Sequence, residues 1–195
     1  MKLSHTFFAR TLTVAAVAFL AAGLARAGEP PALDLIKEGN RYVGEQSKDK
    51  VVQIRSEKSV GTLTPNIWNV VHYDPDATFK ATEVKFGAGN KLSVKRPVRV
   101  IELGTGDDKT LDRHKLKVDS DKAIKIAVAE PLLKSLPLKA TKLILQRGGQ
   151  GPVWEVTLWA AKRKIPAANA DIGSVYIAGD TGELVRGDLH INSVD

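Results

Sequence analysis

The 195-residue sequence has no cysteine, a single methionine and only 6% aromatic residues. With no thiol there is no disulfide framework, no cysteine nucleophile and no Cys-ligated zinc or iron-sulfur site. It also lacks a Gly-x-Ser-x-Gly elbow and a glycine-rich loop ending in Lys-Ser or Lys-Thr, which removes the usual signatures of a serine hydrolase or a phosphate cradle. Charge of one sign does not dominate: 29 Lys plus Arg stand against 22 Asp plus Glu, and 43% of residues are hydrophobic. That composition excludes a charge-driven disordered chain and is enough to build a sizeable core.

What is present begins with an address. Lys2 and Arg10 precede an apolar run from Leu12 to Leu24, and small residues stand at Ala25 and Ala27. This is the pattern of a secretory signal covering 1–27 and cut after Ala27. The run is shorter than the roughly 20 residues a membrane-crossing helix needs, so a cleaved leader is read in preference to a retained anchor. Removing 1–27 takes away Lys2, Arg10 and Arg26 and no acid, leaving 26 bases, 22 acids and a charge of +4. The remaining bases are interspersed with acids, not clustered, so nucleic acid is not an expected partner. No later run is apolar and long enough to span a membrane, and the mature chain is expected in the periplasm or outside the cell.

Periodicity then divides the chain. Leu33, Leu35, Ile36 and Val43 form a helical stripe ending at Gly44. Strands are predicted over 51–56, 67–73, 82–86, 91–95 and 98–103 from β-branched content and alternation, with Gly87-Ala88-Gly89-Asn90 turning one hairpin. Residues 107–119 are charged and lack a period, and they read as a linker. Ser120 is the expected N-cap of a helix carrying Ile124, Ala127, Val128 and Leu132 on one side, which Pro131 should end or kink. Strands follow over 142–146, 153–159, 174–178 and 183–186.

The order helix, strand, strand, hairpin thus occurs in 33–95 and again in 120–188. The segment Asn66-Ile67-Trp68-Asn69-Val70 aligns with Pro152-Val153-Trp154-Glu155-Val156. This suggests an internal duplication. The second copy would carry a longer insert, 160–172.

Three stretches of the second copy carry a resemblance: Ala123-Ile124-Lys125-Ile126-Ala127-Val128-Ala129, Val153-Trp154-Glu155-Val156-Thr157-Leu158, and Tyr176-Ile177-Ala178-Gly179-Asp180-Thr181-Gly182-Glu183-Leu184-Val185. Together, over 120–188, they resemble a PepSY-type domain, whose closing hairpin turns on an Asp and a Thr-Gly pair. Ala178-Gly179-Asp180 departs from the family's usual Val-Asp pair. Residues 32–94 would be a divergent copy. The resemblance implies an α+β fold of tandem modules, each a helix packed on a small antiparallel sheet, with modules at 28–106 and 120–195. It also implies a non-catalytic role in the bacterial envelope, including restraint of secreted peptidases, and brings no catalytic residues or cofactor.

The residues themselves offer few reactive groups. His72, His114 and His190 lack a second His at ligand spacing. His72 beside Asp74 and Asp76 reads as a structural strand-end histidine, and Asp107-Asp108 as a surface turn without the oxygen ladder of a calcium loop. No cofactor or metal site is expected. Trp159 points away from Trp154, Val156 and Leu158. Sheet-to-sheet packing of the two halves is expected and would bury Trp159 between them; on an open face it would instead be followed by Lys162, Arg163 and Lys164. These four residues are the candidate partner-binding positions. The expected function is binding of a protein or peptide in the envelope, with a peptidase as one such partner; the alternative is binding of an anionic envelope polymer or small ligand through the basic-aromatic surface.

Overall fold

The computed structural model describes residues 30–96 and 109–195. The expected leader and the strand expected over 98–103 lie outside the described residues.

Among the described residues eight strands run in one antiparallel sheet. In chain order they are β1 (Val51–Ser56), β2 (Ile67–Tyr73), β3 (Ala81–Gly87), β4 (Asn90–Lys95), β5 (Leu138–Arg147), β6 (Pro152–Ala161), β7 (Asn169–Ala178) and β8 (Leu184–Leu189). Across the sheet the order is β4-β3-β2-β1-β5-β6-β7-β8. Each half of the chain is a four-stranded meander, and the two meanders join through their first strands. Ile54 stands opposite Leu145 and Arg55 opposite Ile144. The Gln53 side-chain amide donates to Gln146 Oε1 at 3.1 Å across the junction. Beyond the ladder, Ser56 Oγ accepts from the Leu143 amide at 2.8 Å and Ser59 Oγ from the Thr141 amide at 2.9 Å. Serine hydroxyls continue the pairing past the last ladder residues, so buried amides of β5 keep partners.

Among the described residues two short α-helices pack on the same face. Helix α1 (Asp34–Gly39) leans on β2, and α2 (Ser120–Val128) on β6 and β7. Ala123 and Ala127, both fully buried, let α2 approach closely, and Ile124 fills beside them. Asp119, not Ser120, caps α2. Its carboxylate also accepts from the Leu33 amide at 3.1 Å, and Ser120 Oγ accepts from the Ala32 amide at 3.1 Å. The entrance of α2 therefore ties down the chain just before α1. Val128 is the last helical residue, and Pro131–Leu133 forms a separate 3-10 turn, as the proline required.

One continuous core spans both halves: Ile36, Ile54, Trp68, Phe86, Leu143, Trp154, Leu158 and Ile177 all belong to it. The expectation of an α+β fold with two separate helix-on-small-sheet modules is thereby corrected. The halves share one sheet and one core, and strands dominate over a six-residue and a nine-residue helix. The first helix stops at Gly39 rather than near Gly44. A Cβ at Gly39 would sit 2.9 Å from His72 Nε2, so this end of α1 lies directly against the buried ring of β2. The expected 160–172 insert is a seven-residue turn, 162–168, flanked by strand, since β6 runs to Ala161 and β7 begins at Asn169.

Candidate functional site

Among the described residues the helices leave the opposite face of the sheet open over β6 to β8, whereas in the first half that face buries Val52, Val71 and Ala81 in a small second cluster. Alternation turns Trp154, Val156 and Leu158 of β6 into the core and Glu155, Thr157 and Trp159 outward. On β7 the same alternation exposes Ser174 and Tyr176, and on β8 Arg186 and Asp188. Cross-strand register collects them: Glu155 is opposite Tyr176, Thr157 opposite Ser174, and Trp159 opposite Asp171. Arg186 stands opposite Tyr176 and Asp188 opposite Ser174.

All of these but Arg186 line a shallow hollow of about 440 Å³, with Lys142 and His190 also at its wall. Its polar groups are organised. Glu155 Oε1 accepts from the Tyr176 hydroxyl at 3.2 Å and from Ser174 Oγ at 3.3 Å, while Thr157 and Ser174 hydroxyls lie 3.0 Å apart. Arg186 stacks on the Tyr176 ring with its guanidinium carbon 4.0 Å from the centroid, and Lys58 Nζ lies 4.4 Å from the centroid of Trp159. Both rings are half-buried and each holds a cation against a face, which fixes their orientation without hiding them.

The rim of the hollow depends on an irregular strand. Pairing of β6 with β7 slips between Leu158 and Trp159, and Gly173 at the slip has φ of +99°. A Cβ there would stand 2.0 Å from the Asp188 carbonyl oxygen. Only glycine permits β8 to approach so closely, and Asp171 Oδ1 accepts from the Gly173 amide at 2.8 Å to hold the bulge.

Of the four expected binding residues, Trp159 lies in this hollow. It is not sandwiched between two sheets, because the halves join edge to edge. Lys162, Arg163 and Lys164 follow in the β6–β7 turn and do not line the hollow. Arg163 is tied to the end of the chain: its guanidinium meets Asp195 Oδ1 at 2.9 Å and its amide donates to the Val194 carbonyl. The sequence reading missed Tyr176 and Arg186 as surface partners, although alternation from Ala178 and the hairpin places them opposite each other. It had no means of finding Lys58, about 100 residues from Trp159 along the chain.

His72, considered for a metal, is fully buried on the core side of β2. Its Nδ1 is 3.3 Å from the Ser47 carbonyl and its Nε2 has no hydrogen-bond partner. Asp74 is engaged elsewhere, accepting from Thr82 Oγ1 at 2.6 Å and pairing with Arg96 at 3.2 Å. Among the described residues no group of three or more His, Asp or Glu is arranged to hold a metal ion, and no helix is long and apolar enough to cross a membrane. No family model, no curated protein and no solved structure matches the chain.

Proposed function

We propose that this is an exported, non-catalytic binding protein that receives a protein or peptide partner of the cell envelope on the open face of its sheet. The observation that carries this reading is the asymmetry of the sheet: both helices lie on one face, and the other presents Trp159 and Tyr176, half-exposed and oriented by cations, around a shallow hollow. Aromatic and Arg side chains in such a setting concentrate binding energy, because they bring large contact area at little loss of conformational freedom. A broad sheet face with a shallow hollow suits a protein surface better than an enclosed small ligand. A peptidase whose cleft is occupied by this face is one partner that fits, since blocking requires contact and no chemistry.

The anionic-polymer reading is less well supported, because Arg163 is neutralised by Asp195 and the Lys162 to Lys164 turn is apart from the hollow. The test is capture from envelope extract with the parent protein and Trp159→Ala, washed at low and then high salt. A defined partner held by the parent through high salt and lost by the variant is expected. Equal retention by both sinks the open-face reading, and release of everything at high salt transfers the role to the basic turn.

A further inference from the structure

The two edges of the sheet are not alike. Strand β4 closes one side with Lys91 and Lys95, and Arg96 follows it, whereas β8 closes the other with a single cation and a single anion on the open face, Arg186 and Asp188. From Leu184 to Asp188 the strand is exposed, with Leu184 at 47% and Val185 at 56%. The His190 amide donates to the Ile172 carbonyl, so alternation along the antiparallel pair turns the backbone groups of Leu189 and Gly187 away from β7, toward the side where none of the described strands pairs. Exposed edge groups of this kind are templates for another strand.

We propose that β8 pairs with β8 of a second copy of this chain, antiparallel about a two-fold axis through Gly187. In that register Gly187 meets its own copy and exchanges both backbone hydrogen bonds with it. Arg186 then stands opposite Asp188 of the other copy, and Asp188 opposite Arg186. Directly opposite side chains at such non-hydrogen-bonded positions are the closest across a sheet, so two ion pairs form per dimer. Among the described residues neither charge is in an ion pair, and Arg186 rests on the Tyr176 ring. The absence of a side chain at Gly187 leaves the axis clear, and nothing lies within 4 Å of where its Cβ would be. The same operation applied to β4 about Ser93 would oppose Lys91 and Lys95, like charges that forbid it. The complementarity is thus particular to β8, and it would join the two open faces side by side with Trp159 uncovered on each.

Sedimentation velocity of the purified full chain, up to its highest soluble concentration, tests this. A monomer–dimer equilibrium is expected. Arg186→Asp should raise the dissociation constant about tenfold or more, the double variant Arg186→Asp, Asp188→Arg should restore it, and Gly187→Pro, which removes the outward amide while leaving the β7 ladder, should be monomeric. Far-UV circular dichroism checks that each variant is folded. A parent that stays monomeric overturns the proposal. So does a dimer that Gly187→Pro leaves intact, or one that the charge reversal weakens without rescue by the swap.

Discussion

Trp68 and Trp154 meet edge to face, ring centroids 6.5 Å apart at 77°, although their strands β2 and β6 are separated by β1 and β5. Each indole also finds a carbonyl, Trp68 Nε1 donating to Pro65 at 3.2 Å and Trp154 Nε1 to Val118 at 2.8 Å. The pair spans the junction of the two halves from the core side. Urea unfolding of Trp68→Phe, Trp154→Phe and the double variant should give a coupling of about 0.5–1.5 kcal/mol, the usual range for an aromatic pair in this geometry. Additive losses would mean that the rings share a core without stabilising each other. Phe is the better substitution, because truncating either buried indole to Ala costs about 3–5 kcal/mol, a large fraction of a domain's stability.

The equivalence of these two tryptophans was legible in the sequence, and so were β1 and β2, whose limits match the alternation. The joining of β1 to β5 was not. Alternation decides which face a residue occupies but not which strand lies beside it, and Ile54 and Leu145 are about 90 residues apart. A signal did exist in the edges. Strands β4 and β8 are exposed at all but one position each, while β1 is buried at nearly every position on both faces, as befits the middle of a wide sheet. For the candidate site, period-two patterning put Trp159 on the outer face, but the slip at Gly173 and the approach of Lys58 are tertiary events with no local mark.

His72 gives the fold a pH dependence with a definite sign. Burial lowers its pKa from 6.5 to about 4, outweighing the Ser47 carbonyl and the more distant Asp49, both of which favour the charged form. The unfolded chain therefore takes up this proton first as pH falls. The contribution of neutral His72 is fully present above pH 6.5 and is lost progressively down to about pH 4, where it has removed about 3 kcal/mol. Urea midpoints for the parent should drop across that window more steeply than those of His72→Leu. Parallel pH profiles for the two proteins would refute the assignment.

Two glycines near each other should respond oppositely to alanine. At Gly173 the backbone is left-handed and a methyl would collide with the Asp188 carbonyl, so Gly173→Ala should cost about 2 kcal/mol or more and loosen β8 from β7. At Gly187 a methyl meets nothing, so Gly187→Ala should lie within about 1 kcal/mol of the parent, with any change toward greater stability. Thermal unfolding of both, with amide exchange to localise the effect, distinguishes a strained bulge from a generally tight edge. Equal effects would remove the special role given to Gly173.

Trp159 can be observed separately because the other two tryptophans are sealed. Trp154 is fully buried and Trp68 is 2% exposed, whereas Trp159 is half-buried at the hollow. Acrylamide should therefore quench a single fluorescence component, and Trp159→Phe should abolish it. Lys58 covers part of the same ring, so Lys58→Ala should increase quenching while changing stability by less than about 1 kcal/mol, since one exposed cation–π contact contributes little. The pairing of these readouts matters: a loss of stability with unchanged quenching would make Lys58 a structural brace, whereas greater quenching at constant stability identifies it as a cover over the contact surface. A partner that docks on the open face must then suppress the same component in the parent protein, and a partner that binds while leaving it fully quenchable docks elsewhere.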